Sequence, residues 1–192
     1  MDQEQKQIAI INFVAGITDK TSSLLLFLLT EQLRSGTKNF RINISSNGGT
    51  VFHAVSIFNF LSGLKNVHIH THNLGQIDSS ASLIFLAGHK RTASRSSSFL
   101  LHSPEMMVQN EGSSQFSIEL LKEKLESLQK DEQKMAEIIG SKIGKSQEDV
   151  LEMFKNRKTY SSAEAKDLGF ITEIEEFVAE PNVPIFTITN QA

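Results

Sequence analysis

The chain has 192 residues, which fits a single domain at a prior of about 150 residues per domain. Its 19 Lys plus Arg against 22 Asp plus Glu leave a net charge of -3, which argues against a nucleic-acid binder held by a basic face. There is no cysteine, so disulfides, thiolate metal sites and a cysteine nucleophile are excluded. The longest apolar run, Leu24 to Leu29, falls far short of the ~20 residues that span a bilayer. The first seven residues are polar and lack the apolar stretch of a secretory signal. Together these features predict a soluble, cytoplasmic domain over 1–192, with no nucleic acid and no membrane partner. A nucleophile in it would be an oxygen.

Ile8 to Val14 is short, β-branched and apolar, and predicts a buried strand. Thr18 or Asp19 caps a helix that runs to about Ser35, with Gly36 just past its end. A second strand, Phe40 to Ile44, leads through the turn Ser46-Asn47-Gly48-Gly49 into a helix near Thr50. Val51, Val55, Phe58 and Leu61 mark one face of that helix, and Gly63 its end. A third strand, Val67 to Asn73, is followed by a helix just after Ser79 that runs to about Gly88. This alternation implies βαβ units and a largely parallel sheet.

Thr92 to Leu101 reads as one strand or two short ones. A long helix follows over about 115–141, with Leu121, Leu125, Leu128, Met135 and Ile139 in register and Gly140 and Gly144 ending it. Its charged face, Lys122 through Lys134, reads as solvated. A shorter helix spans about Ser146 to Phe154, and Ser161 to Ala165 opens another with a capping pattern, closed by Gly169. The tail, 180–192, reads as an edge strand or an arm.

Three places can hold chemistry. The Gly48-Gly49 pair before a helix frees backbone N–H groups for an anion. Ser79 stands at a strand-to-helix turn, where a hydroxyl is held exposed and the helix end favours negative charge; an N-cap serine is the commoner meaning of such a residue. His102 follows an apolar strand and precedes Pro104.

The order of these elements resembles the Clp protease proteolytic subunit family. That family's Asn-Ser-Pro-Gly-Gly is similar to Ser45-Ser46-Asn47-Gly48-Gly49, and its Gly-Gln-Ala-Ala-Ser-Met-Gly-Ala to residues 75–82. Its Met-Ile-His-Gln-Pro is similar to Leu100-Leu101-His102-Ser103-Pro104, and its Ser-Ala-x-Glu-Ala-x-x-x-Gly-Leu-Ile to residues 161–171. The resemblance covers about residues 8–175. It implies an α/β fold of the crotonase type, a spiral of repeated β-β-α units with a long protruding handle helix. It implies a serine endopeptidase that needs no cofactor and acts on peptides or unfolded proteins. Ser79 would be the nucleophile and His102 the general base, with an oxyanion hole from the backbone N–H groups of Gly49 and Ser80. The assembly implied is a ring of identical subunits, a heptamer or a stacked double ring interlocked by the handle, that can dock an AAA+ unfoldase. The alternative is a ring-forming structural member of the family with weak or no catalysis.

The sequence departs from the pattern at the third catalytic position. Reading back from Glu164 puts Arg157 where the family has aspartate, with Asn156 beside it. A buried arginine there would oppose the imidazolium that His102 must become. Asn156 or Asp78 is then a candidate third member, although Asp78 should point away from His102. Asn47 replaces the proline of the turn, and few residues precede the first strand, which weakens the case for an unfoldase partner. His68, His70 and His72 share one strand face and have zinc-ligand chemistry. No carboxylate stands at matching spacing in the sequence, so the reading is a polar sheet face or subunit contact and no metal.

Overall fold

The computed structural model describes residues 8–106, 117–179 and 183–191. The polar N-terminal residues, the start of the expected long helix (115–116) and parts of the tail (180–182, 192) lie outside the described residues.

β1 (Ile8–Val14) buries Ala9, Ile10, Ile11 and Phe13, the near-continuous apolar run of a strand covered on both faces. It pairs in parallel with β2 (Asn39–Ser46) on one side and with β8 (Ile185–Thr189) on the other. The tail is therefore an edge strand. α1 (Asp19–Arg34) connects β1 to β2 and starts at a reciprocal cap between Thr18 and Thr21. α2 (Val51–Gly63) buries Val51, Ala54, Ile57 and Leu61. Val55 and Phe58, expected on the buried stripe, are only half-buried, because a helix apolar on most sides does not declare its inner face by periodicity.

β3 (His68–Asp78) runs past Asn73, where the sequence pattern ends it. Its first half pairs with β4 (Lys90–Ala93) and its second half with β5 (Ser98–Leu100), so one strand edge serves two partners in turn. The change of partner falls beside a register shift against β2 between Ile44 and Ser46. Asn73 closes the gap: its Oδ1 accepts from Gly75 N–H at 3.0 Å and its Nδ2 donates to the Ser98 carbonyl at 2.8 Å. Two backbone groups that would otherwise lose their ladder partners are thus satisfied.

α3 (Ala81–Leu86) follows β3, and all six of its residues are buried. α4 (Ile118–Ile143) is the long helix. It buries Met135, Ala136, Ile139 and Gly140, whereas Leu121 and Leu125 are 53% and 56% exposed. The predicted apolar stripe therefore packs against the chain's own core only over its last turns. Gly140 does not end the helix but lies inside it: a Cβ there would come within 2.7 Å of the Lys145 carbonyl. Gly144, in the left-handed conformation, is the cap. α5 (Gln147–Asn156) leads to β6 (Thr159–Ser161), antiparallel to β5, then α6 (Ser162–Asp167) and β7 (Glu173–Ile174) beside β4. Among the described residues no helix is long and apolar enough to cross a membrane.

The core joins these layers through a chain of rings. Phe85 of α3 meets Phe99 of β5 at 5.3 Å between centroids, and Phe99 meets Phe170 at 5.8 Å. Both contacts have the inclined geometry that aromatic quadrupoles favour. Phe99 stands three residues before His102 and is 1% exposed. Phe99→Ala is expected to cost about 3–5 kcal/mol in urea unfolding, through lost burial and the cavity left between α3 and residue 170.

Candidate active site

The end of β3 builds a sharp elbow. Ser79 has φ 54, a left-handed conformation uncommon outside glycine, and is 8% exposed. Its N–H donates to the Leu100 carbonyl at 2.8 Å, so the elbow is anchored to β5. Its carbonyl accepts from Ser82 Oγ at 2.6 Å and from Ser82 N–H at 3.1 Å, which opens α3. The glycine-pair turn lies against this elbow. Gly48 has φ 84, and a Cβ on it would come within 2.9 Å of the Ser79 Cβ. Gly49 has φ 148, and a Cβ on it would come within 2.2 Å of the Ile17 carbonyl oxygen. The Ile17 N–H and carbonyl clamp the turn through Gly48 and Thr50, at 2.8 and 3.0 Å.

His102 arrives from the other side, just beyond β5, whose Leu100 is in register with Asp78. Its Nδ1 lies 2.7 Å from the Ser103 carbonyl oxygen. A carbonyl only accepts, so this contact puts the ring proton on Nδ1 and leaves Nε2 with a free lone pair. That tautomer suits a general base. No hydrogen bond joins Ser79 Oγ to His102 among the described residues; the His102 contact is the one to Ser103.

Nor does His102 hydrogen-bond any of the three candidate third members. Asp78 feels the His102 charge without such a bond: burial pushes its carboxyl up, while the His102 ring and the Leu100 backbone pull it down. Asn156 ends α5 and is exposed. Arg157 is not buried, contrary to the sequence expectation. Its side chain is 56% exposed and its guanidinium pairs with the Glu105 carboxylate. The pairing holds Glu105 below its ordinary range, through hydrogen bond and charge together, and the His102 ring adds to this. Arg157 therefore comes with its own counter-charge, so the repulsion expected from a buried arginine is offset.

One of the two expected oxyanion-hole donors, the Gly49 N–H, is tied to the Ser80 side chain. Gly49 N–H donates to Ser80 Oγ at 3.0 Å, and Ser80 Oγ donates back to the Gly49 carbonyl at 3.0 Å. One hydroxyl thus occupies the N–H that a substrate oxyanion would need. The sequence carried a signal for it, because Ser80 stands where the family pattern has methionine. Glu105 was also within reach of inference, three residues past His102, but its pairing with Arg157 requires the fold.

The histidine strand separates into two groups. His68 stacks on His89 at 5.5 Å, whereas His70 and His72 meet Thr92. Burial, and then the Arg41 charge, lower both imidazoles to a pKa of about 4, so they are neutral at pH 7. A carboxylate does stand beside them, contrary to the spacing argument: Glu175, just after β7, lies 3.5 Å from His70 Nε2.

A family model described as Clp protease matches residues 4–177. The chain belongs to the Clp protease family. A relative from Frankia casuarinae, described as ATP-dependent Clp protease proteolytic subunit 2, is 30% identical over 152 residues, 78% of this chain. The chain spans 65% of that relative's length. The solved structure of a ClpP1 point mutant from Listeria monocytogenes superimposes with a TM-score of 0.72 at 20% identity, over 90% of this chain and 92% of the other. The fold is therefore the α/β, crotonase-type spiral with a protruding long helix that the motifs imply.

In this Clp protease family member the Gly49 turn is the least tolerant point of the site. Gly49→Ala would force the turn off Ile17 and is expected to lower the urea midpoint measurably, whereas Gly63→Ala, which meets no atom within 4 Å, should not lower it.

Proposed function

We propose that the chain is a serine-type endopeptidase acting through Ser79 and His102. The observation that carries this reading is the Nδ1–H to Ser103 carbonyl bond, which leaves His102 Nε2 with a free lone pair two residues past the Leu100 carbonyl that anchors the Ser79 elbow. Nε2 takes the Ser79 proton as Oγ attacks a peptide carbonyl, and the tetrahedral oxyanion draws on the Ser80 N–H and on the Gly49 N–H once the Ser80 hydroxyl releases it. The intermediate collapses to an acyl-enzyme as Nε2 gives its proton to the leaving amine. Water then repeats the sequence on the ester.

The usual triad aspartate does two things: it fixes the tautomer and it stabilises the imidazolium. In chymotrypsin-type serine proteases, loss of that carboxylate leaves the wrong tautomer and costs about 10⁴ in kcat. Here the Ser103 carbonyl takes over the first task as a neutral dipole. The second task has no hydrogen-bonded carboxylate: Asp78 lies near the ring without bonding to it, and Glu105 is paired with Arg157. A reduced rate rather than an absent one follows.

Ring assembly fits the same reading. α4 carries Ile118, Leu121 and Leu125 exposed at helical spacing, an apolar stripe with no partner in its own chain among the described residues. A second subunit's handle covers it in a stacked double ring, and unfolded peptide enters the chamber.

A fluorophosphonate probe tests the chemistry. The parent is expected to be labelled, and Ser79→Ala and His102→Ala to lose the label while keeping the parent circular dichroism. A folded parent that takes no label at any pH would sink the peptidase reading. Ser80→Ala removes a neutral hydrogen bond worth ~0.5–1.5 kcal/mol, so the labelling rate should rise about 2- to 10-fold. Leu125→Glu should move the assembly to a smaller species in sedimentation without changing the fold.

A further inference from the structure

The cluster around Thr92 lies well away from Ser79, roughly 20 Å down β3 at the rise of an extended strand. Thr92 Oγ1 lies 2.8 Å from His70 Nε2, 2.8 Å from His72 Nδ1 and 3.3 Å from Glu175 Oε1. One hydroxyl therefore marks a point on which two imidazole nitrogens and a carboxylate oxygen converge. The three atoms lie within 4.8 Å of one another.

Their far sides are held. His72 Nε2 meets Ser94 Oγ at 3.2 Å, and Glu175 Oε2 accepts from Lys90 Nζ at 2.9 Å. Outer contacts of this kind fix the orientation of metal-bound histidines and carboxylates. His72 is fully buried, while His70 lines an open cleft of about 340 Å³ with Arg41, His68 and Lys90, which gives an ion a path in. Two cations hold the Glu175 carboxylate, Arg41 Nη2 at 3.4 Å from Oε1 and Lys90 Nζ at 2.9 Å from Oε2, and the carboxylates of Glu173 and Glu176 balance them, so an ion takes Oε1 over from Arg41.

We propose that His70 Nε2, His72 Nδ1 and Glu175 Oε1 form a binding site for a divalent transition-metal ion, zinc above all. Two neutral imidazoles and one carboxylate suit zinc, with Thr92 Oγ1 or a water in the fourth position. Zinc bonds of about 2.0–2.2 Å set tetrahedral ligand atoms roughly 3.4 Å apart, so the three ligands draw together while Thr92 Oγ1, 2.8 Å from both imidazoles, moves back from the centre to admit the ion. The bound ion clasps β3 to the segment after β7, across β4. It takes no part in the chemistry at Ser79.

The full chain, stripped with a chelator, is titrated with Co²⁺ and with Zn²⁺. Co²⁺ is expected to give a visible absorption band that one equivalent of Zn²⁺ removes. Zn²⁺ at about a hundredfold excess over its Kd should raise Tm by about 5–10 °C. His70→Gln and Glu175→Gln, each checked for the parent circular dichroism, should weaken Co²⁺ binding tenfold or more. His102→Ala and His89→Gln should bind as the parent does. Absence of the Co²⁺ band, undiminished binding in both His70→Gln and Glu175→Gln, or binding lost in His102→Ala instead would each overturn the proposal.

Discussion

Everything at the two sites depends on how β3 shares its edge. A strand edge has one row of donors and acceptors, and β3 divides that row between β4 and β5. The break between the two is closed by a single amide, Asn73, which satisfies Gly75 and Ser98 at once. Beyond the break, β5 is carried to the end of β3, where its Leu100 carbonyl anchors Ser79 and its continuation delivers His102. Before the break, β4 brings Thr92 and Ser94 alongside His70 and His72. The fork thus creates two chemically distinct ends on one strand. Loss of the Asn73 amide would leave two half-buried backbone groups without their partner.

Around His102 the division of labour is unusual. Orientation comes from a backbone carbonyl that cannot move far and cannot titrate. The nearby carboxylates of Asp78 and Glu105 make no hydrogen bond to the ring. The first arrangement is insensitive to pH and to salt. The second is not, since Glu105 is exposed and its field is screened over about 8–10 Å at ordinary ionic strength. Arg157 makes no hydrogen bond to the ring and directs its charge to Glu105.

Much of the fold was legible because its signals are local. Thr18, Ser146 and Ser161 cap helices through bonds to residues three positions on, and the sequence shows both partners. The Gly48-Gly49 turn was legible for a similar reason: only glycine accepts the conformations it needs beside Ser79 and Ile17. Pairing across long separations was not legible. Glu175 meets His70 only because β7 docks on β4, and no spacing rule reaches so far along a chain. The inner face of α2 was hidden by excess, since apolar residues occur on most of its sides. The exposure of Leu121 and Leu125 was hidden by ambiguity: a stripe of helical period says that something covers it, not that the same chain does.

The backbone at Ser79 carries a further meaning. A non-glycine residue held at φ 54 costs roughly 1–2 kcal/mol that a glycine would not. A chain selected only to keep its shape and its neighbours would gain stability by giving up that side chain. The elbow is therefore a standing debt against the folded state, and a hydroxyl presented at that one point is the return the geometry offers.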